Sequence, residues 1–147
     1  MLELVLRLVL ELVQVQAADR DAALATGAAL ARTSHHPVAQ ALARAAQHLP
    51  LRTASEVRAA AGSGIEGVVD GRRLRLGQPR WAIDGDPGAV DDDAVVLAQD
   101  GRPVATFALR ERLRPGARAA LDALRADGVA IELASGDAQA RVEALAQ

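Results

Sequence analysis

Leucine occupies positions 2, 4, 6, 8, 10 and 12 of the opening segment MLELVLRLVLELVQVQ. A period of two puts those side chains on one face of a strand. Glu3, Arg7 and Glu11 recur every fourth residue, a spacing that also suits a helix. The β-branched valines between them favour the strand. The same charges keep every apolar run well below the roughly 20 residues of a membrane span. The layout is not that of a signal peptide.

The pattern then turns helical. Asp19 or Asp21 can cap a helix that runs to about Arg32, with Leu24 and Leu30 inward. The stretch TSHHP, residues 33–37, breaks it. A second helix starts near Pro37, where a missing N–H costs nothing, and reaches about His48. Its Val38, Ala41, Leu42, Ala45 and Leu49 follow the i, i+3, i+4 rule. Beyond Pro50, IEGVVDGRRLRLG reads as two short strands around Asp70-Gly71, a dipeptide suited to a two-residue turn. AVVLAQDGRPVATFAL repeats the device around Asp100-Gly101. Two such hairpins predict an antiparallel sheet over about residues 12–110, with both helices on one face.

The last third changes character. LRPGARAALDALRADG predicts an amphipathic helix with Ala117, Ala120, Leu121 and Leu124 inward and Gly128 as its stop. VAIELA is a continuous apolar strand of the kind buried on both faces of a parallel sheet. SGD forms a polar turn at its carboxyl end, and AQARVEALAQ opens another helix. The expected fold class is α+β: an antiparallel sheet with flanking helices, then a partial α/β piece. The boundary falls at residues 1–110 and 111–147. Such a piece needs more strands than 147 residues supply, so the chain reads as an excerpt.

Composition sharpens this picture. Hydrophobic residues make up 50% but aromatics only 1%, namely Trp81 and Phe107, so the core must be aliphatic and alanine-packed. The net charge is −2 and no basic stripe interleaves with aromatics, which argues against a nucleic-acid partner. Without cysteine there is no disulfide and no thiolate site. The acidic stretch DGDPGAVDDD, residues 84–93, carries carboxylates of the kind hard cations take. A charge run is more often simply solvated.

Two features carry candidate chemistry. Gly62, Gly64 and Gly67 stand in G-x-G-x-x-G spacing, but a hairpin follows them instead of the helix that a dinucleotide fold requires. They remain either a glycine-rich turn or a place where backbone comes close to a flat ligand. His35 and His36 precede Pro37. Adjacent histidines point in different directions and have no partner at metal-ligand spacing. Each is a capping or surface residue, or an exposed flat ring that can stack on a base.

The order Ser34-His35-His36-Pro37, then Gly62-x-Gly64, then Leu76-Gly77-Gln78, then Ser135-Gly136-Asp137 resembles the cytoplasmic region of the heavy-metal-transporting P-type ATPases. The likeness runs from about residue 12 to the end. Members carry Ser-Glu-His-Pro, G-x-G-x-x-G, Val-Gly-Asn and Thr-Gly-Asp at these places. The resemblance implies that residues 1–110 are a nucleotide-binding domain and 111–147 part of a phosphorylation domain. It implies that His36 stacks on the adenine of ATP, that Gly62 and Gly64 pass close to the nucleotide, and that Ile65 walls it. Gly77 lies nearby, and Ser135 and Asp137 sit in the turn that faces ATP. The whole enzyme would use ATP with Mg²⁺, pass the γ-phosphoryl to an Asp and export a metal cation, copper above all. That cation would bind a membrane part absent here, and this soluble fragment would belong to the cytoplasmic side of an integral membrane protein.

This sequence departs from the pattern at several positions. His35 replaces the acidic residue before the stacking His, and Ala31 replaces a Glu that reads the adenine amine. Ser135 keeps the hydroxyl of Thr, and Gln78 replaces Asn. The non-acidic residue 35 together with Trp81 resembles the copper exporters that serve cytochrome oxidase assembly. The Asp-Lys-Thr-Gly-Thr loop and the Gly-Asp-Gly-x-Asn-Asp element are absent, so no residue here is expected to be catalytic. Two alternatives stand beside this reading. A haloacid-dehalogenase-like phosphatase with a large cap would need an upstream D-x-D motif, with its nucleophilic Asp in a suitable loop. A soluble metal-binding module would use His35, His36 and His48.

Overall fold

The structure, a computed structural model, describes residues 4–88, 90–113, 116–128 and 131–134. The chain divides into two compact units. The larger is Leu12–Leu109, and the smaller joins residues 1–11 to residues 110–147. Strands β1 (Leu4–Ala17) and β6 (Arg102–Leu113) contribute residues to both.

In the larger unit β1 is followed by helices α1 (Arg20–Ala31) and α2 (Pro37–Ala45) and strands β2 (Ala54–Ala60), β3 (Gly64–Val69) and β4 (Arg72–Gly77). A single helical turn, α3 (Pro79–Ala82), and strand β5 (Val95–Gln99) lead into β6. The strand order is β2-β3-β4-β5-β6-β1. The pairs from β2 through β6 are antiparallel, as the two hairpins require. Asp70 and Gly71 have φ values of 52° and 76°, and Asp100 and Gly101 have 53° and 78°. Positive φ at both central residues is the type I′ turn that matches strand twist. In β6, Pro103 sits at the register shift opposite Ala98, where a missing donor does least harm to the ladder.

Asp19 caps α1 by accepting from the Ala22 N–H at 3.1 Å. Leu24 and Leu30 are fully buried, as expected. They join Leu42 of α2, Val69, Leu74, Leu76, Leu97 and Phe107 in one core. Small residues set the approach of α1 to the sheet. A methyl built on Gly27 would lie 3.3 Å from Phe107 Cζ, and one on Gly67 would lie 2.9 Å from Leu30 Cδ2. The sheet is also covered on its other face, which the sequence pattern did not indicate. Ala82 and Ile83 pack there on Val96 and Ala98 of β5, with Trp81 and Val90 beside them.

Strand β2 was not anticipated either. Its side chains are largely exposed and show no apolar alternation, so the ladder to β3 alone defines it. The ladder shifts register between Ser55 and Arg58, and Glu56 there has φ 52°.

In the smaller unit β7 (Ile131–Ala134) pairs in parallel with β1, from Leu4 opposite Ile131 to Arg7 opposite Ala134. Residues 1–11 therefore fall with the C-terminal piece. Helix α4 (Ala117–Ala126) buries Leu121 and half-buries Leu124, while Ala120 is exposed. Gly128, with φ 76°, ends the helical path. The turn expected at 135–137 and the helix expected after it lie outside the described residues.

Phe107 is the sole phenylalanine and is completely buried. Phe107→Ala should cost about 3–5 kcal/mol. Urea unfolding followed by circular dichroism checks this, and a loss below about 1 kcal/mol would contradict the single-core description.

Candidate functional site

Helix α1 packs on the sheet. Its Ala22, Ala23 and Thr26 line a cavity with Val69 and Asp70, its Gly27 faces Phe107 and Leu76, and its Leu30 reaches Gly67. The segment 32–36 follows it. The His36 N–H donates to Ser34 Oγ at 3.2 Å. His36 is itself the N-cap of α2, because its Nδ1 accepts from the Val38 N–H at 3.2 Å. With Nδ1 occupied as an acceptor, a neutral ring carries its proton on Nε2. The residue is exposed, so the ring is fixed at one edge and open at its faces.

The glycines divide by environment. Gly62 has φ +75° in a turn closed by the Ser63 N–H donating to Ala60 O at 2.9 Å, and a methyl there would meet nothing. Gly64 and Gly77 stand opposite one another in the β3–β4 ladder. A methyl on Gly64 would strike the Leu76 carbonyl and come within 2.6 Å of Trp81 Cζ3. One on Gly77 would strike the Ser63 carbonyl and come within 2.7 Å of Gly64 Cα. The lack of side chains at 64 and 77 therefore has an internal cause: backbone and indole fill the space. Ile65 alternates to the other face, opposite Leu76, and is half-buried.

Gln78 ties this hairpin end together. Its backbone N–H donates to Ser63 O at 2.9 Å, and its Nε2 donates to Gly62 O at 2.9 Å. Trp81 follows in α3. The Arg75 guanidinium lies over the indole, 5.3 Å from its centroid, and donates to the Trp81 carbonyl at 3.1 Å. Arg75 Nε is 3.5 Å from Glu66 Oε2, and the two residues are cross-strand partners. In the sequence Gln78 and Trp81 serve only as markers of the family likeness. Their place beside Gly77 was the available signal.

Ser135 and Asp137 lie outside the described residues. His35 and His48 are exposed, and among the described residues no group of three His, Cys, Asp or Glu can hold an ion. Ala31 is 2% exposed and belongs to the core. A Glu at position 31 would therefore enter the core and would not simply read a base from the loop. The cavity between α1 and β3, about 430 Å³, is lined by Thr26, Arg52, Asp70 and Leu74 and by none of the nominated residues.

Comparison with known proteins gives a consistent picture. The chain matches the haloacid dehalogenase-like hydrolase family over residues 4–147. It is 38% identical over 146 residues to the probable copper-transporting ATPase SynA of Synechococcus, covering 93% of this chain and 18% of that protein. It is 40% identical over 123 residues to the nitrogen fixation protein FixI of Bradyrhizobium diazoefficiens, covering 80% of this chain and 16% of that one. Among solved structures, a zinc-transporting PIB-type ATPase in its E2.Pi state superposes with a TM-score of 0.72 at 28% identity, over 94% of this chain and 25% of that chain. The chain thus spans under a fifth of the length of these two relatives.

The two glycine environments separate by mutation. Gly62→Ala meets only the strain of a positive φ, about 1–2 kcal/mol. Gly64→Ala must push aside backbone and indole and should cost more, about 2–4 kcal/mol. Thermal unfolding of both variants checks the order, and equal losses would contradict the packing at Gly64.

Proposed function

Because the chain belongs to the haloacid dehalogenase-like hydrolases, we propose that it is the nucleotide-binding region, with part of the phosphorylation domain, of a copper-transporting P-type ATPase. The proposed division follows the two units: Leu12–Leu109 as the nucleotide-binding part, and residues 1–11 with 110–147 as the phosphorylation part. The observation that carries the reading is His36: an imidazole pinned by its own N-cap bond and exposed, between Ser34 and Pro37 at the start of α2. Such a ring stacks on adenine at little cost in entropy, because the cap already holds it.

In this reading the Gly62–Gly64 turn brings backbone N–H and C=O groups close to the nucleotide. Ile65 supplies an apolar wall and Gly77 lies at the same end of the hairpin. Ser135 and Asp137 form the turn that faces the phosphates. Mg²⁺ and the phosphorylated Asp belong, in this reading, to the rest of the enzyme, since the Gly-Asp-Gly-x-Asn-Asp and Asp-Lys-Thr-Gly-Thr elements are not in this sequence. The whole protein would couple aspartyl-phosphate formation and hydrolysis to metal export. No described helix is long and apolar enough to cross a membrane. The chain would stand on the cytoplasmic side of a membrane part that carries the metal.

The purified chain should bind ATP and ADP weakly, because residues 31–36 carry no carboxylate to accept from the adenine amine. His36→Ser keeps a capping oxygen while removing the ring. It should weaken ATP and GTP alike, by roughly 5- to 150-fold if stacking is worth about 1–3 kcal/mol. Calorimetry on both proteins tests this, and unchanged affinity would remove His36 from the site.

The chain alone should also form no acyl-phosphate, since its sequence lacks the Asp-Lys-Thr-Gly-Thr loop. Incubation with γ-labelled ATP and acid precipitation should leave the protein unlabelled. A label that survives acid would contradict the assignment of the nucleophile to another part of the enzyme.

A further inference from the structure

The face of the β3–β4 hairpin opposite α1 carries an arrangement that the nucleotide reading does not use. Gly67, with Leu30 over it, fixes which face meets α1. By alternation the other face carries the cross-strand pairs Gly64–Gly77 and Glu66–Arg75. Trp81 touches one member of each pair, Gly64 and Arg75. Its ring fills the space a Gly64 side chain would take, and Arg75 covers the ring and donates to the Trp81 backbone carbonyl. Gln78, three residues earlier, holds Gly62 and Ser63 through their carbonyls, and its own carbonyl accepts from the Trp81 N–H at 3.1 Å.

We infer that Trp81 and Gln78 are positioning residues for the nucleotide turn, Trp81 as a prop behind Gly64 and Gln78 as a clamp on Gly62. The inference rests on the reading of Gly62 and Gly64 as nucleotide contacts. Three observations lead to it. Gly62 has open space around it and a positive φ, so its own packing does not hold the turn. Two hydrogen bonds from Gln78 do hold it. The indole closes the outer side of Gly64, so a ligand reaches this backbone only from the other side or from the end of the hairpin. The prop also determines affinity: a turn fixed before binding loses less freedom when the ligand arrives.

The arrangement carries its own probe. Trp81 is the sole tryptophan and the chain has no tyrosine. Nucleotide seated against Gly62–Gly64 presses on backbone in contact with the indole, so Trp81 emission should change on titration with ATP. The change should saturate at the dissociation constant that calorimetry gives for the same protein. Gln78→Met keeps the length of the side chain and removes its donor. Since Gln78 is exposed, this variant should keep its unfolding midpoint while binding ATP roughly fivefold more weakly, the value of one net hydrogen bond. Trp81→Leu should weaken ATP by at least as much, and Trp81→Phe, which restores a ring, should recover most of the loss. Wild-type binding by calorimetry, with silent emission and unchanged affinity in Gln78→Met and Trp81→Leu, would overturn the inference and leave the nucleotide reading standing. No ATP binding to wild type would overturn both.

Discussion

The register of the β3–β4 hairpin is the constraint on which the larger unit depends. A type I′ turn at Asp70-Gly71 admits one pairing, and a slip of one residue would exchange the two faces of both strands. In the observed register one face presents Ile65, Gly67, Val69, Leu74 and Leu76 to the helices. The other presents the glycine pair and the Glu66–Arg75 pair. Helix α1 can approach only because Gly67 faces it, and Trp81 can seat only because Gly64 and Gly77 face away. A slipped hairpin would push Arg75 into the core and leave Leu76 outside. The desolvation of an unpaired guanidinium makes that alternative costly.

Much of this was legible in the sequence, because the signals are local. Leucine alternation gave β1, and two Asp-Gly dipeptides gave both hairpins. The 3.6-residue period gave the inward face of α2, and the Asp19 cap and Leu24 and Leu30 gave α1. Even the glycine pairing was implicit, since Gly64 and Gly77 stand equally far from the Asp70-Gly71 turn. What escaped the reading was of two kinds. Strand β2 and the α3 turn carry no periodic signal, one being largely exposed and the other four residues long. The remaining features depend on partners distant in the chain. Residues 4–7 take 131–134 as parallel neighbours, Gln78 reaches back to Gly62, and Ala31 is buried by elements on either side of it. No short-range pattern encodes such pairings.

The candidate site inherits this split between local and distant. His36 is set by its own neighbourhood, with Ser34 before it and the first turn of α2 after it. The glycine turn is set by a segment that returns after a complete hairpin. The two halves therefore meet through the core, with α1 as the bridge between them: it contacts β3 on one side and leads into the His36 segment on the other. The core beneath is built almost entirely from Ala, Leu and Val with one buried ring, Phe107. In such a core α1 can lie close to the sheet, and its position depends on a few small residues and not on large side chains.

Strand β2 closes the strand order on one side, and its irregularity has a consequence of its own. An open sheet margin offers unpaired N–H and C=O groups that a second chain can zip onto. Here that margin is bent where the ladder shifts between Ser55 and Arg58, with Glu56 in a left-handed conformation and charged side chains at 56 and 58. A straight incoming strand would lose its hydrogen-bond phase at the shift and meet charge beyond it. The feature that hid β2 from a reading of periodicity is thus also what defends the sheet against edge-to-edge association and the growth of fibrils.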